Sequence, residues 1–278
     1  MTALLLTALL AAPQQPPVFR AEVGVVRVEV SVTTDGQPVG GLTADDFELQ
    51  DNGRPQELRL VLEEQAPIDA VLVLDMSWSV RGAKRTALRG AAAAFLDGLR
   101  PAEMAAVIGF HHEILLLQDF TSERSRLFEA LERAQPFGST ALRDAVYAAL
   151  RLRPPTRQRV AIVVFSDGVD NVSLLTPSEV VEAASHTDGI VYGIGVRQDG
   201  DARETFLPEA VRATGGRYFE AASERDLRRR FLDVLADIRA RYVLSYAPAD
   251  APEAGWHTLT LRLKRRRGDV LARRGYWR

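Results

Sequence analysis

The stretch that decides the fold is residues 68–74, which read IDAVLVL and are followed directly by Asp75. Apolar residues dominate it without polar alternation, as is typical of a strand buried on both faces of a parallel sheet. Residues 159–165 (RVAIVVF) have the same character and end at Ser166-Asp167-Gly168. Because helical patterns separate such strands, the sequence predicts a doubly wound α/β domain. Its sheet is expected to be mainly parallel, with helices on both faces.

The remaining elements of this domain follow from the same patterns. The predicted helices cover 83–99, 124–134, 141–152, 177–187, 203–214 and 224–241, with Ser178 or Thr176 near the start of the fourth. Further strands are predicted at 104–110, 114–120, 189–196 and 217–219. The short spacing between Phe110 and Ile114 predicts one antiparallel edge strand.

Segments with β-strand patterns flank the α/β domain on both sides. Strands are predicted at 23–33, 47–50 and 58–62 before it, the last two joined through the turn residues Asp51-Asn52-Gly53, and at 242–246, 256–263 and 270–277 after it. Neither segment is large enough for a good core of its own. We therefore expect the two to form one small β-sandwich unit, with the α/β domain inserted between them. The predicted boundaries are 18–65, 66–241 and 242–278.

The N-terminus predicts export. Residues 4–12 form a short apolar run that ends in small residues, and a proline-rich stretch follows it. The run has the length of a signal-peptide core and is too short to span a bilayer, although no Lys or Arg precedes it. We expect residues 1–17 to be a signal peptide with a proline-rich spacer. The mature protein would then be periplasmic, at the cell surface or secreted, with no transmembrane segment.

Composition excludes several classes of function. The chain has 278 residues, of which 46% are hydrophobic and 26% charged, and this is ordinary globular composition. The formal net charge of -2 argues against general nucleic-acid binding, which requires a basic excess. The chain has no cysteine, so disulfides, thiolate metal sites and cysteine nucleophiles are all excluded.

Oxygen-bearing side chains gather where the strands of the α/β domain end. Asp75, Ser77 and Ser79 lie in the loop that leaves the first strand, and Asp167 follows the strand 159–165. Thr140 begins a predicted helix. Ligands of doubly wound sheets bind beyond the carboxyl ends of the strands, so Asp75 and Asp167 are predicted to be neighbours. Carboxylate and hydroxyl oxygens suit Mg²⁺, Mn²⁺ or Ca²⁺.

These five positions resemble the metal-ion-dependent adhesion site of the von Willebrand factor type A domain family. The resemblance covers roughly residues 68–241. It implies that Ser77, Ser79 and Thr140 bind the metal through their hydroxyls, and that Asp75 and Asp167 act directly or through water. One coordination position would remain for an Asp or Glu of a partner protein. The alternative from the residues alone is that Asp75, Ser79 and Asp167 cap a helix or a turn and hold no metal.

The whole chain also resembles bacterial proteins described as VWFA-related. The residues that carry this wider resemblance are Leu42-Thr43-Ala44-Asp45-Asp46-Phe47 in the first β segment and Gly275-Tyr276 near the end.

The predicted function is that of an exported, non-enzymatic binding protein, an adhesion or scaffold module. It would hold Mg²⁺ and capture an acidic residue of a protein partner. Two alternatives remain, a metal-assisted hydrolase that uses the same ion and a structural module that does not use the site. A hydrolase usually brings a general base or a second metal, and the sequence has no clear candidate for either.

Asp144 and Trp78 lie near the predicted site, and each has two alternative roles. Asp144 follows Thr140 by about one helical turn, and we expect it to support the site or the N-terminus of its helix. Trp78 lies between the two serines. It is expected either to be exposed beside the metal as a contact for a partner or to pack under the loop.

Other candidate motifs are weaker. His111-His112-Glu113 could suggest a metal or catalytic cluster. Adjacent histidines on a strand would point to opposite sides and could not easily share one ion, so a turn between strands is the preferred interpretation. Gly193-Ile194-Gly195 lacks the third glycine of a dinucleotide fingerprint. Ser166 lacks the nucleophile-elbow pattern. The basic cluster 264–267 favours a solvated hairpin turn over an anionic surface ligand.

Overall fold

The computed structural model describes residues 24–61, 67–155, 159–196, 205–248 and 254–278. The expected signal peptide and proline-rich spacer, residues 1–17, lie outside these ranges, so export stays a prediction. None of the helices within the described ranges has the length and apolarity needed to cross a bilayer.

The described residues contain fifteen strands and six α-helices. The strands are β1 (Val26–Thr34), β2 (Gln37–Pro38), β3 (Phe47–Asp51), β4 (Arg54–Pro55), β5 (Arg59–Val61), β6 (Ile68–Asp75), β7 (Ala105–Phe110), β8 (Ile114–Thr121), β9 (Arg159–Ser166), β10 (Ile190–Val196), β11 (Tyr218–Ala221), β12 (Tyr242–Tyr246), β13 (Trp256–Leu263), β14 (Asp269–Leu271) and β15 (Gly275–Trp277). The helices are α1 (Ala83–Asp97), α2 (Arg124–Arg133), α3 (Leu142–Arg151), α4 (Pro177–Ser185), α5 (Phe206–Ala213) and α6 (Leu227–Arg239).

The central sheet has six strands in the order β11-β10-β9-β6-β7-β8. Every pair is parallel except β7 with β8, which confirms the predicted antiparallel edge. Alternate residues of β6 point to opposite faces of the sheet. Leu72 and Leu74 join the core cluster that includes α1, α2 and α6, whereas Val71 and Val73 join the cluster that includes α3, α4 and α5. The doubly wound α/β fold with helices on both faces is therefore confirmed.

The chain reverses its direction of winding between β6 and β9. It passes from β6 to β7 on one side, and returns to place β9 against the other side of β6. A crevice opens beyond the carboxyl ends of two parallel strands at such a switch point, and ligands of these folds bind there. Asp75 is the last residue of β6, and Asp167 directly follows β9. The topology thus places both carboxylates at the switch point.

The N- and C-terminal segments together form two further sheets. One has the order β14-β1-β12-β5, with β2 paired to β1, and the other has the order β15-β13-β3-β4. Val28 and Val30 of β1 share one buried cluster with Leu49 of β3 and Leu244 of β12. The expected shared β unit is therefore present, although the predicted domain boundaries stay a proposal.

Two details of this unit differ from the sequence prediction. Asn52 and Gly53 both have positive φ, the conformation of a two-residue hairpin turn, so the turn leads at once into β4 rather than to β5. Strand β5 pairs instead with β12 in the other sheet. The predicted final strand 270–277 is two strands, since β14 pairs with β1 and β15 pairs with β13.

A buried ionic cluster joins the α/β domain to the β unit. Asp237 of α6 accepts hydrogen bonds from Ser31 Oγ of β1 at 2.7 Å and from Tyr192 Oη of β10 at 2.9 Å. Arg217 and Arg241 also donate to this carboxylate, at 3.0 and 3.2 Å. The two guanidinium groups hold the pKa of Asp237 below its ordinary value, although burial alone would raise it.

Candidate metal centre

The five candidate residues come from three loops at one edge of the central sheet. Leu74 of β6 lies beside Phe165 of β9 in the parallel register, so Asp75 and Asp167 leave neighbouring strands side by side. Ser77 and Ser79 lie between β6 and α1, and Thr140 lies two residues before α3. All except Ser79 are buried.

Direct contacts connect four of the five residues in a row. The Ser77 backbone N–H donates to Asp75 Oδ1 at 2.8 Å, and the hydroxyls of Ser77 and Ser79 are 3.0 Å apart. Ser79 Oγ then donates to Asp167 Oδ1 at 2.7 Å. The hydroxyl of Thr140 faces Gly168, where a Cβ atom would lie 3.7 Å from Oγ1. The structure therefore brings the five predicted side chains to one place.

The carboxyl group of Asp75 is the most buried of the site. Ser166 Oγ donates to its Oδ2 at 2.7 Å, and the Ser77 N–H donates to its other oxygen. Burial nevertheless raises the pKa of Asp75 to about 6, and the nearby charge of Asp167 adds to the increase. These hydrogen bonds do not fully replace water, so a cation beside Asp75 would be stabilising.

Lys84, which the sequence analysis did not single out, forms an ion pair with Asp167 Oδ2. It lies in the first turn of α1, five residues after Ser79, and about a quarter of its side chain is exposed. Lysine is common on protein surfaces, so the sequence alone has no signal that marks this one. In this structure Lys84 supplies positive charge to one of the two candidate carboxylates.

The loop after Asp167 is held against the helix α3 by side-chain contacts. Asn171 Oδ1 accepts from the Thr140 N–H at 2.9 Å, and the Asn171 N–H donates to the Thr140 carbonyl at 3.0 Å. The carboxylate of Asp144 accepts from the N–H groups of Leu174 and Leu175 at 2.9 and 3.0 Å. Asp144 therefore supports the loop that follows Asp167, in agreement with its predicted role of supporting the site.

The donor set fits a hard divalent cation. Its two carboxylates and three hydroxyls are all oxygen ligands, which Mg²⁺, Mn²⁺ and Ca²⁺ prefer. The side chains that would hold the ion are Asp75, Ser77, Ser79, Thr140 and Asp167. The alternative of plain helix capping finds no support at α1, because its N-cap residue is Gly82 and no side chain caps it.

His111, His112 and Glu113 form the turn between β7 and β8, as preferred from the sequence. Within this turn the rings of His111 and His112 lie on the same side, with centroids 4.5 Å apart in a stacked arrangement. The strict alternation of a strand does not apply to residues within a turn. His111 Nδ1 accepts the Glu113 N–H at 2.9 Å, which engages that ring in a backbone contact.

Comparison with known proteins finds a match to one family model. Residues 70–169 match the family model of the von Willebrand factor type A domain. No curated protein matches the chain. The von Willebrand factor type A structure from Catenulispora acidiphila is 13% identical, with a TM-score of 0.56, and the alignment covers 84% of this chain and 73% of that one.

Two further solved structures share the fold. Proximal thread matrix protein 1 from the mussel byssus, described with a zinc-occupied MIDAS motif, is 17% identical with a TM-score of 0.56; the alignment covers 67% of this chain and 49% of that one. The vWF domain of the type V pili tip protein Mfa5 from Porphyromonas gingivalis is 14% identical with a TM-score of 0.51, over 62% of this chain and 95% of that one. At these identities the likeness concerns the fold alone.

Proposed function

We propose that this chain, whose residues 70–169 match the von Willebrand factor type A domain model, is an exported, non-enzymatic module that binds a protein partner through a metal ion. The proposed ion is Mg²⁺, with Mn²⁺ or Ca²⁺ as possible replacements. The observation that carries this proposal is the row of contacts from Asp75 through Ser77 and Ser79 to Asp167 at the switch point of the sheet. The byssus protein among the structural neighbours is described with a zinc-occupied MIDAS motif, which supports a divalent ion at this site.

The proposed capture follows from the small number of anionic ligands. Three of the five donors are neutral hydroxyls, and Lys84 already offsets the charge of Asp167, so a bound divalent ion keeps part of its positive charge. An Asp or Glu of the partner would complete the coordination shell and neutralise that charge. Hydrogen bonds within the loops already hold the site residues in position. Binding therefore costs less conformational entropy.

Replacing Asp75 or Asp167 by alanine is expected to weaken Mg²⁺ binding by roughly 100-fold or more, since each change removes one of two anionic donors. Isothermal titration calorimetry measures this change. Glu129→Ala is the matched control, because Glu129 is an exposed carboxylate on α2 and should leave the affinity unchanged. Capture of a partner from native extracts should be lost both in EDTA and in the Asp75→Ala variant. Undiminished Mg²⁺ affinity in both site variants would refute the proposal.

Replacing Lys84 by methionine is expected to tighten Mg²⁺ binding by about tenfold, because the ammonium group and the metal ion compete for Asp167 and repel each other. Methionine keeps most of the apolar length of the side chain. Arg81→Met is the matched control. Arg81 is also cationic and lies three residues before Lys84, but its guanidinium group donates to the Trp78 carbonyl. Equal affinity in the Lys84→Met variant and the wild type would contradict this role.

A further inference from the structure

Large apolar side chains are exposed on each of the loops that carry the candidate site. Trp78 lies between Ser77 and Ser79 and is 48% exposed, and Phe137, three residues before Thr140, is 53% exposed. The loop after Asp167 presents Leu174, which is 92% exposed. The same loop also exposes Val169 and Val172. We call these five side chains the apolar rim; they are Trp78, Phe137, Val169, Val172 and Leu174.

The two aromatic members of the apolar rim form a preorganised pair. Their ring centroids are 5.6 Å apart. The Trp78 N–H donates to the Gly138 carbonyl at 3.0 Å, and the Phe137 N–H donates to the Met76 carbonyl at 2.7 Å. These bonds tie the two loops together on either side of the ring pair. Rigid aromatic side chains of this kind are the usual anchors of protein interfaces, because they lose little entropy on binding.

The charges beside the apolar rim favour an anionic partner. The Arg81 guanidinium lies 4.7 Å from the centre of the Trp78 ring, and Lys84 lies beside Asp167. The nearby carboxylate of Asp170 pairs with Arg143 at 2.8 Å. With a divalent ion bound, the ion and the two cationic side chains outweigh the carboxylates of Asp75 and Asp167. A partner surface that is both acidic and apolar would complement this combination.

We propose that the apolar rim selects a protein partner in which the captured Asp or Glu is flanked by aromatic or large aliphatic side chains. This inference rests on the proposed function, and it adds the local sequence of the partner to it. The flanking side chains pack on Trp78 and Phe137 while the carboxylate reaches the metal. Apolar contact discriminates between partners, because the metal alone would accept an acidic residue equally in any sequence context.

Three synthetic peptides test this proposal in the presence of Mg²⁺. They are Gly-Phe-Asp-Phe-Gly, Gly-Ser-Asp-Ser-Gly and Gly-Phe-Asn-Phe-Gly, each acetylated at the N-terminus and amidated at the C-terminus so that no terminal carboxylate competes for the metal. NMR titration of the full chain measures their dissociation constants in the millimolar range. The phenylalanine-flanked acidic peptide is expected to bind at least about fivefold more tightly than the serine-flanked one. Trp78→Ala and Phe137→Leu should remove this difference. Tyr147→Ala, which changes an exposed aromatic residue on α3, should preserve it.

The outcomes separate this inference from the proposed function. Equal binding of the two acidic peptides would overturn the selective rim and leave acid capture intact. Binding of the asparagine peptide as tight as that of the aspartate peptide, with no effect of EDTA, would support the rim and overturn acid capture. Failure of all three peptides to bind would overturn the inference. The Mg²⁺ affinity of each variant is measured alongside, so that loss of the metal is distinguished from loss of apolar contact.

Discussion

The variant Asp237→Ala is expected to lose about 3–5 kcal/mol of unfolding free energy, because the change leaves buried guanidinium charge without its carboxylate partner. Arg241 is fully buried and donates to Asp237, as do Ser31, Tyr192 and Arg217. Urea unfolding at neutral pH, followed by circular dichroism, measures the loss. The β unit and the α/β domain should both be affected, since Ser31 belongs to the first and Asp237 to the second.

Asp233→Ala provides the matched control for this prediction. Asp233 lies on the same helix, is more exposed, and forms an ion pair with Arg230 at 3.1 Å. Exposed pairs of this kind contribute about 0–1 kcal/mol, so the control should change little. The pKa of Asp237 lies below its ordinary value, so its contribution is fully present above about pH 4 and is lost as pH falls through the folded-state pKa. A loss below about 1 kcal/mol in Asp237→Ala would show that the cluster is not needed for stability.

The variant Asp75→Asn is expected to be more stable than the wild type in EDTA at pH 7.5, by about 2–3 kcal/mol. The pKa of Asp75 is raised to about 6 in the folded protein, from an ordinary value of 3.8. The folded state therefore holds a proton more tightly than the unfolded state does, and the ionised carboxylate destabilises the fold at neutral pH. In the wild type this penalty should shrink as pH falls from above 6 towards 4, and the variant should lack that pH dependence.

Excess Mg²⁺ should reverse the order of stability, because binding to the folded state stabilises only the protein that retains the ligand. Thermal unfolding in EDTA and in Mg²⁺ measures both effects. Asp167→Asn is the informative comparison: Lys84 already provides a counter-charge to Asp167, so removing this carboxylate should not stabilise the protein. If Asp75→Asn is less stable than the wild type in EDTA, burial of the Asp75 charge is not the dominant cost.

The prediction of the fold succeeded where the pattern of residues is local. The apolar runs at 68–74 and 159–165 became the two central strands, and the helices began and ended within a few residues of the expected positions. Errors occurred where pairing partners are distant in sequence. The strand predicted at 270–277 is divided between two sheets, and β5 pairs with β12 rather than following β3 in one sheet. Turn residues specify a reversal of the chain, but not which distant strand will be adjacent.

The residue types of the candidate site and its place beyond the carboxyl ends of the strands were determined by the sequence, because strand ends and helix starts follow from hydrophobic periodicity. Only the tertiary structure decided how its charges are balanced. Lys84 and Asp167 are 83 positions apart, and Ser31 and Asp237 are 206 positions apart, so no local pattern relates them. Whether a carboxylate is paired, buried or facing solvent depends on distances of a few ångströms between such segments. Those distances are set by how helices and sheets pack, and packing depends on the whole chain.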